Sequence, residues 1–152
     1  MKFRSPAFYD GDVLPQRFTC DGSGVSPPFR WDEVTPGTFS YILICEDPDT
    51  SNGPFTHWLL YNLPWGTRKL EEGLPDDEVL SMGARQGTND FGQVGYGAAC
   101  PPRWRKHHYI FRLTSLDITD LPVPPGARRL HVTAAMKGHV LDEVQITAIY
   151  QR

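Results

Sequence analysis

Apolar residues fall in short runs separated by polar, glycine- and proline-rich stretches. Phe39-Ser-Tyr-Ile-Leu-Ile-Cys-Glu46 is nearly continuous, the pattern of a central strand buried on both faces. His57-Trp-Leu-Leu-Tyr-Asn62 predicts a second strand, stopped by Pro64, and His108-Tyr-Ile-Phe-Arg-Leu-Thr114 a third. Val144–Tyr150, rich in Val, Ile, Thr and Tyr, is the last. Weaker strand signals cover Lys2–Phe8, Arg17–Cys20 and Phe29–Trp31. One helix is predicted from Ala127 to Lys137, between Pro124-Pro125-Gly126 and the stop at Gly138. Leu130, Ala134 and Gly138 share one line on it, and Val132, Ala135 and Met136 lie on an adjoining line. That side would pack on a sheet. The stretches Asp47–Phe55 and Gly83–Arg105 show no regular period. The expected fold is mainly β, an antiparallel β-sandwich with one peripheral helix near the C-terminus, in a single domain over 1–152.

Composition agrees. Glycine and proline number 14 each in 152 residues, about 18% together against an ordinary ~12%. Both residues disfavour helix interiors and serve turns. A net charge of −3 argues against a nucleic-acid partner, which a basic surface would serve. No apolar run approaches the ~18 residues of a membrane-spanning helix. The start, Met1-Lys2-Phe3-Arg4-Ser5-Pro6, lacks the apolar core of a secretory signal, so a cytoplasmic location is expected. Cys20, Cys45 and Cys100 are odd in number, far apart and outside any C-x-x-C pair. They are expected to be reduced thiols, mostly small buried side chains.

Candidate chemistry gathers at strand ends. Asp47 closes the first strong strand and His57 opens the next, so an antiparallel return would bring both to one end of the sheet. On the following strand, His107 and Tyr109 face one way and His108 the other. The long loop before them carries five glycines and then Pro101-Pro102, the make-up of an ordered loop lining a site. A carboxylate, two imidazoles and a phenol would hold a small polar group, and loop N–H groups would add an anion nest. Asp47 would favour the imidazolium forms, so anion binding is expected to tighten in mild acid.

These residues carry a resemblance. Asp47-Pro48-Asp49, His57-Trp58, Gly95-Tyr96-Gly97, Pro101-Pro102 and His107-His108-Tyr109 resemble the signature regions of the phosphatidylethanolamine-binding protein family, the Raf kinase inhibitor-like proteins. Phe18-Thr19-Cys20-Asp21-Gly22, Ser26-Pro27-Pro28, Trp31, Gly87–Gly92 and Ala135–His139 resemble its short prokaryotic-type members, so the likeness runs along the whole chain. The resemblance implies an antiparallel β-sandwich with an anion-accepting pocket for the phosphoryl head of a phospholipid or another phosphorylated group. By position, Asp47, His57, His107 and Tyr109 match its polar lining. Cys100 and Pro101 fall in the loop that closes it, Pro48 and Asp49 in the loop that shapes its rim, and Trp58 packs beneath. Thr50-Ser51 stand where the first motif commonly continues Ala-Pro, and Ala98-Ala99 where the second commonly has a pair such as Gly-Pro. Arg103-Trp104-Arg105-Lys106 replaces a Ser/Gly-rich linker and would form a cationic collar attracting anions or partners.

The expected function is therefore non-catalytic: a binding or regulatory module for a small phosphorylated or other anionic ligand, without a cofactor. A kinase or protease is a further candidate partner, and a homodimer is expected. Two rivals use the same residues. One is a metal site on Asp47, His57 and His107. The other is a weak hydrolase whose only nucleophile candidate near the pocket is Cys100.

Overall fold

The computed structural model describes residues 1–152. Its strands are β1 (Lys2–Arg4), β2 (Phe29–Asp32), β3 (Ser40–Asp47), β4 (Phe55–Pro64), β5 (Lys69–Leu70), β6 (Arg85–Gln86), β7 (Lys106–Leu116) and β8 (Val140–Gln151), with one helix, α1 (Arg129–Met136). They form a five-stranded antiparallel sheet in the order β6-β4-β3-β7-β8 and a three-stranded one in the order β1-β2-β5.

Strand β3 is buried at every residue because it separates two apolar layers. Tyr41, Leu43 and Cys45 enter the larger core with Trp58, Phe111 and Leu113, against Phe29 and Trp31 of the small sheet. Ile42 and Ile44 enter a second cluster with Leu59, Tyr61, Leu116 and Val132. The alternation of two expected of a strand is thus preserved while both faces stay dry.

The helix covers the second cluster through Val132, with Ala135 and Met136 partly buried beside it. Leu130 is 82% exposed, so of the two expected lines only the one through Val132 packs. Arg129 also docks the helix. It donates to the Glu46 carboxylate at 3.1 Å, and Arg112 donates to the same group at 2.8 Å. Burial pushes Glu46 up, but its bonds with Arg129 and Arg112 outweigh this and leave its pKa below the ordinary range.

Three expectations need correction. Arg17–Cys20 is no strand: Gln16–Phe18 is a short 3₁₀ helix, entered from Pro15 and closed by the Thr19 hydroxyl donating to Gln16 O at 2.8 Å. The N-terminal strand ends at Arg4, because the Ser5 hydroxyl turns to donate to Pro28 O at 2.7 Å. The long loop contains β6, which pairs with β4 through Leu60 and Tyr61.

Candidate functional site

Two irregularities in the β3–β4 ladder decide where the polar residues go. Cys45 pairs with Trp58 but Glu46 with Thr56, leaving His57 as the extra residue of a β-bulge. Strict alternation from Trp58, which faces the larger core, would send His57 into the opposite layer. The bulge instead puts both on one side, and the His57 ring meets the Tyr109 ring edge-on, centroids 5.3 Å apart. The second irregularity lies opposite Tyr41–Leu43, where Asn62 takes a φ of 54°.

At that end of the sheet a cavity of about 110 Å³ opens. Its polar lining is Asp47, His57, His107, Tyr109 and Thr50. Cys100, Pro101 and Pro102 make one wall, and Phe55 and Phe91 another. The structure thus brings together six of the residues named from the sequence. Pro48 and Asp49 do not line this cavity. Pro48 is exposed, while the Asp49 N–H donates to Asp47 Oδ1 at 2.8 Å, closing an Asx-type turn that holds the carboxylate. Trp58 lies buried away from the cavity, donating Nε1–H to Gln86 Oε1 at 2.8 Å. Sequence reasoning missed Thr50, Phe55 and Phe91 as lining residues, and of the Pro101-Pro102 pair in the site-lining loop it singled out only Pro101. Phe55 was readable, since it stands two residues before His57 on the same strand. Phe91 had only its place in the glycine-rich loop. Gly97 lets it in, because a Cβ there would collide with the Phe91 ring.

Hydrogen bonds settle the tautomers. The His57 Nδ1–H donates to the Gly97 carbonyl at 2.7 Å, and the Gly97 N–H donates back to His57 O at 2.8 Å. The His107 Nδ1–H donates to Asp47 Oδ2 at 2.6 Å. A carbonyl and a carboxylate can only accept, so each neutral ring keeps its proton on Nδ1 and has Nε2 left for a ligand. The Tyr109 side chain is buried and its hydroxyl has no partner of normal hydrogen-bond geometry. Burial above all, and then the Asp47 charge, push this phenol far up, so it stays protonated. His57 departs from expectation. Burial lowers its pKa and outweighs the Gly97 bond and the Asp47 charge, which act in the other direction. The desolvation of a nearly closed strand end beats the neighbouring carboxylate.

The cysteines also depart from expectation. Cys20 and Cys100 are bonded to each other, 80 residues apart in sequence, and both are exposed. Only Cys45 is a free, buried thiol. The pairing arises because the Cys20 N–H donates to Ala99 O at 2.9 Å, placing the two segments side by side. It ties the wall of the cavity to the N-terminal segment. In this bonded form Cys100 carries no free thiol. No group of three His, Cys, Asp or Glu side chains is arranged to hold a metal ion.

Comparison with known proteins places this arrangement. The family model described as phosphatidylethanolamine-binding protein matches residues 4–151. The chain belongs to this family. Among similar proteins, a UPF0098 protein of Methanothermobacter thermautotrophicus is 44% identical over 100% of the chain and 99% of its own length. The UPF0098 protein YbhB of Escherichia coli is 38% identical, with 99% of each covered. Among solved structures, Escherichia coli YbcL, described as a member of the mammalian PEBP family, superposes with a TM-score of 0.92 at 29% identity, covering 99% of this chain and 98% of that one. A homologue from Chlamydia trachomatis gives 0.89 at 33% identity, covering 99% and 96%. Membership of the family accounts for the order of the motifs, and the bulge at His57 explains how they meet.

Proposed function

We propose that the chain is a non-catalytic binding module that takes a small anion, best a phosphoryl group, into the cavity of Asp47, His57, His107 and Tyr109. The single observation that carries this reading is a cavity in which two imidazoles have Nε2 to spare and the buried Tyr109 hydroxyl has no well-formed hydrogen bond, only the nearby Asp47 carboxylate. A buried donor without a partner costs ~1–3 kcal/mol, and an anionic oxygen would accept from it. The volume, about 110 Å³, is that of roughly four waters, enough for a phosphoryl group and too little for the rest of a lipid.

With His57 kept neutral by burial, the Asp47 carboxylate opposes an anion. Binding therefore draws a proton onto His57, turning its Nε2 into a charged donor. Affinity rises as the pH falls, and each anion brings a proton with it. Calorimetry with sulfate, which stays ionised, at pH 5.5 and pH 8 in two buffers of different ionisation heat tests both points. Affinity flat across that range, with no buffer-dependent heat, removes the histidines as the anion-binding groups.

A regulatory role of the kinase- or protease-inhibitor kind is the finer form of this proposal and rests on the family likeness alone. A cytoplasmic home is compatible with the exposed Cys20–Cys100 bond only where thiol reductants are weak or slow. No helix is long and apolar enough to cross a membrane.

A further inference from the structure

Beside this cavity lies a second, larger depression that shares Thr50, Pro102 and His107 with it. Asp49, Ser51 and Arg105 complete its lining, which contains no apolar side chain other than the proline. The three shared residues place the shelf directly beside the inner cavity. The two charged groups of the shelf differ in their freedom. The Asp49 carboxylate is engaged: His108 donates to Oδ2 from its backbone N–H at 2.8 Å and from Nδ1 at 2.7 Å. The Arg105 guanidinium has no salt bridge, while its shelf neighbour Asp49 is paired with His108. An unpaired guanidinium on a polar shelf is a planar fork for a carboxylate or a second phosphoryl oxygen pair, and it offers nothing to an acyl chain.

We infer that the Arg105 shelf is a second anion subsite, and that the ligand class is a short phosphomonoester carrying a second anionic group, such as a phosphorylated carboxylic acid. The phosphoryl group sits among Tyr109, His57 and His107, and the carboxylate meets Arg105. This rests on the phosphoryl-binding reading above and goes further by naming what the rest of the ligand carries.

The test is calorimetry at pH 6 with methyl phosphate, 2-phosphoglycolate and dihexanoyl phosphatidic acid, on the wild type and on Arg105→Ala, Arg105→Lys and Arg103→Ala. Arg103 is the control: it lies in the same exposed loop, carries the same charge and does not line the shelf. The expected result is that 2-phosphoglycolate binds about tenfold tighter than methyl phosphate, one charged hydrogen-bonded contact at a wet site. Arg105→Ala removes this preference and changes methyl phosphate affinity by less than about threefold, since Arg105 lies outside the inner cavity. Arg105→Lys keeps part of the preference, and Arg103→Ala keeps it all. The inference is overturned if the wild type shows no preference. It is equally overturned if Arg103→Ala costs as much as Arg105→Ala, or if the phosphatidic acid binds tightest. Methyl phosphate that fails to bind at all overturns the phosphoryl reading itself, and this subsite with it, whereas methyl phosphate that binds without any preference for its anionic analogue overturns the subsite alone.

Discussion

Two aspartate–histidine pairs stand side by side at the start of β7, and they differ in almost everything but chemistry. His107 meets Asp47 at 2.6 Å, with side chains 8% and 3% exposed. His108 meets Asp49 at 2.7 Å, with side chains 44% and 36% exposed. Strand alternation sends the two rings to opposite sides, and that alone puts one pair in the cavity wall and the other in water. For the outer pair, solvent screens the attraction and such contacts are worth ~0–1 kcal/mol. For the inner pair, burial removes most of the screening, and Asp47 has only the Asp49 N–H as a second partner. There the carboxylate fixes the imidazole's tautomer and aims Nε2, which is positioning and not mere adhesion. Bond length says little about what a pair does; what surrounds it decides.

The largest expected effect sharpens this contrast from outside either pair. Reducing Cys20–Cys100 releases a loop closed over 80 residues, which the chain-entropy account values at ~4–4.5 kcal/mol. Urea unfolding with and without a dithiol should show a loss of that order. The same treatment frees the wall of Cys100, Pro101 and Pro102 and should weaken sulfate binding, while the ring resonances of His108 in the nuclear magnetic resonance spectrum stay where they were. A matching change at His108 would mean that the two pairs are not independent.

Next in size is His107→Ala. It strands a carboxylate that is only 2% exposed, and breaking a buried pair costs ~3–5 kcal/mol; the Asp49 N–H on Asp47 should keep the loss at the lower end. Sulfate binding should fall by tenfold or more. Loss of stability below ~1 kcal/mol would show that water reaches Asp47 and that the inner pair is as screened as the outer.

A third effect is read in pH. The unfolded His57 titrates near ~6.5, and burial lowers that value in the fold. Between the two values the unfolded chain binds the extra proton. The stability that depends on a neutral His57 is therefore complete above ~6.5 and is lost as the pH falls below it. Asp49 acts in another window. Burial raises its pKa, but the side-chain and backbone bonds from His108 bring it below the ordinary value, so its contribution is lost only in stronger acid. Melting the wild type and His57→Gln from pH 7.5 to 5 should show a steeper decline in the wild type, and saturating sulfate should reduce it. Parallel declines would detach His57 from the pH response.

The smallest effect is His108→Ala, expected to cost ~1 kcal/mol or less and to leave sulfate affinity within about twofold. Loss of binding in this variant but not in His107→Ala would place the wrong ring in the cavity and shift the register of β7 by one residue.

Much of the site was legible because strand alternation is a local rule. It separated His107 and Tyr109 from His108, and the burial of the three side chains follows it. The Asp47-Pro48-Asp49 turn is equally local, an aspartate hydrogen-bonding two residues on, but only the family likeness had placed Pro48 and Asp49 near the site. Legibility failed where a residue's surroundings come from elsewhere. His57 was read as the ring that Asp47 would help to charge, because Asp47 was visible in the sequence and the closed strand end was not. Leu130 looked as fit to pack as Val132, and only the position of α1 over Ile44 and Leu59 separates them. Arg112 and Arg129, 17 residues apart in sequence, converge on Glu46 with no local sign that they would.

By itself, the sequence determined the class of fold, the doubly buried strand β3 and the set of polar residues at one end of the sheet. Each follows from composition, from a period of two, or from motifs with a family likeness. Tertiary structure alone decided three things. The bulge at His57 is a mismatch between two strands, and neither strand encodes it. Three cysteines allow three pairings, and the choice of Cys20 with Cys100 depends on a backbone bond to Ala99. Arg105 comes to share a shelf with Asp49, Thr50 and Ser51, which belong to a separate loop. Patterns along a chain carry the preferences of neighbours, whereas register, covalent partners and the walls of a cavity are set by segments that meet only once the chain has folded.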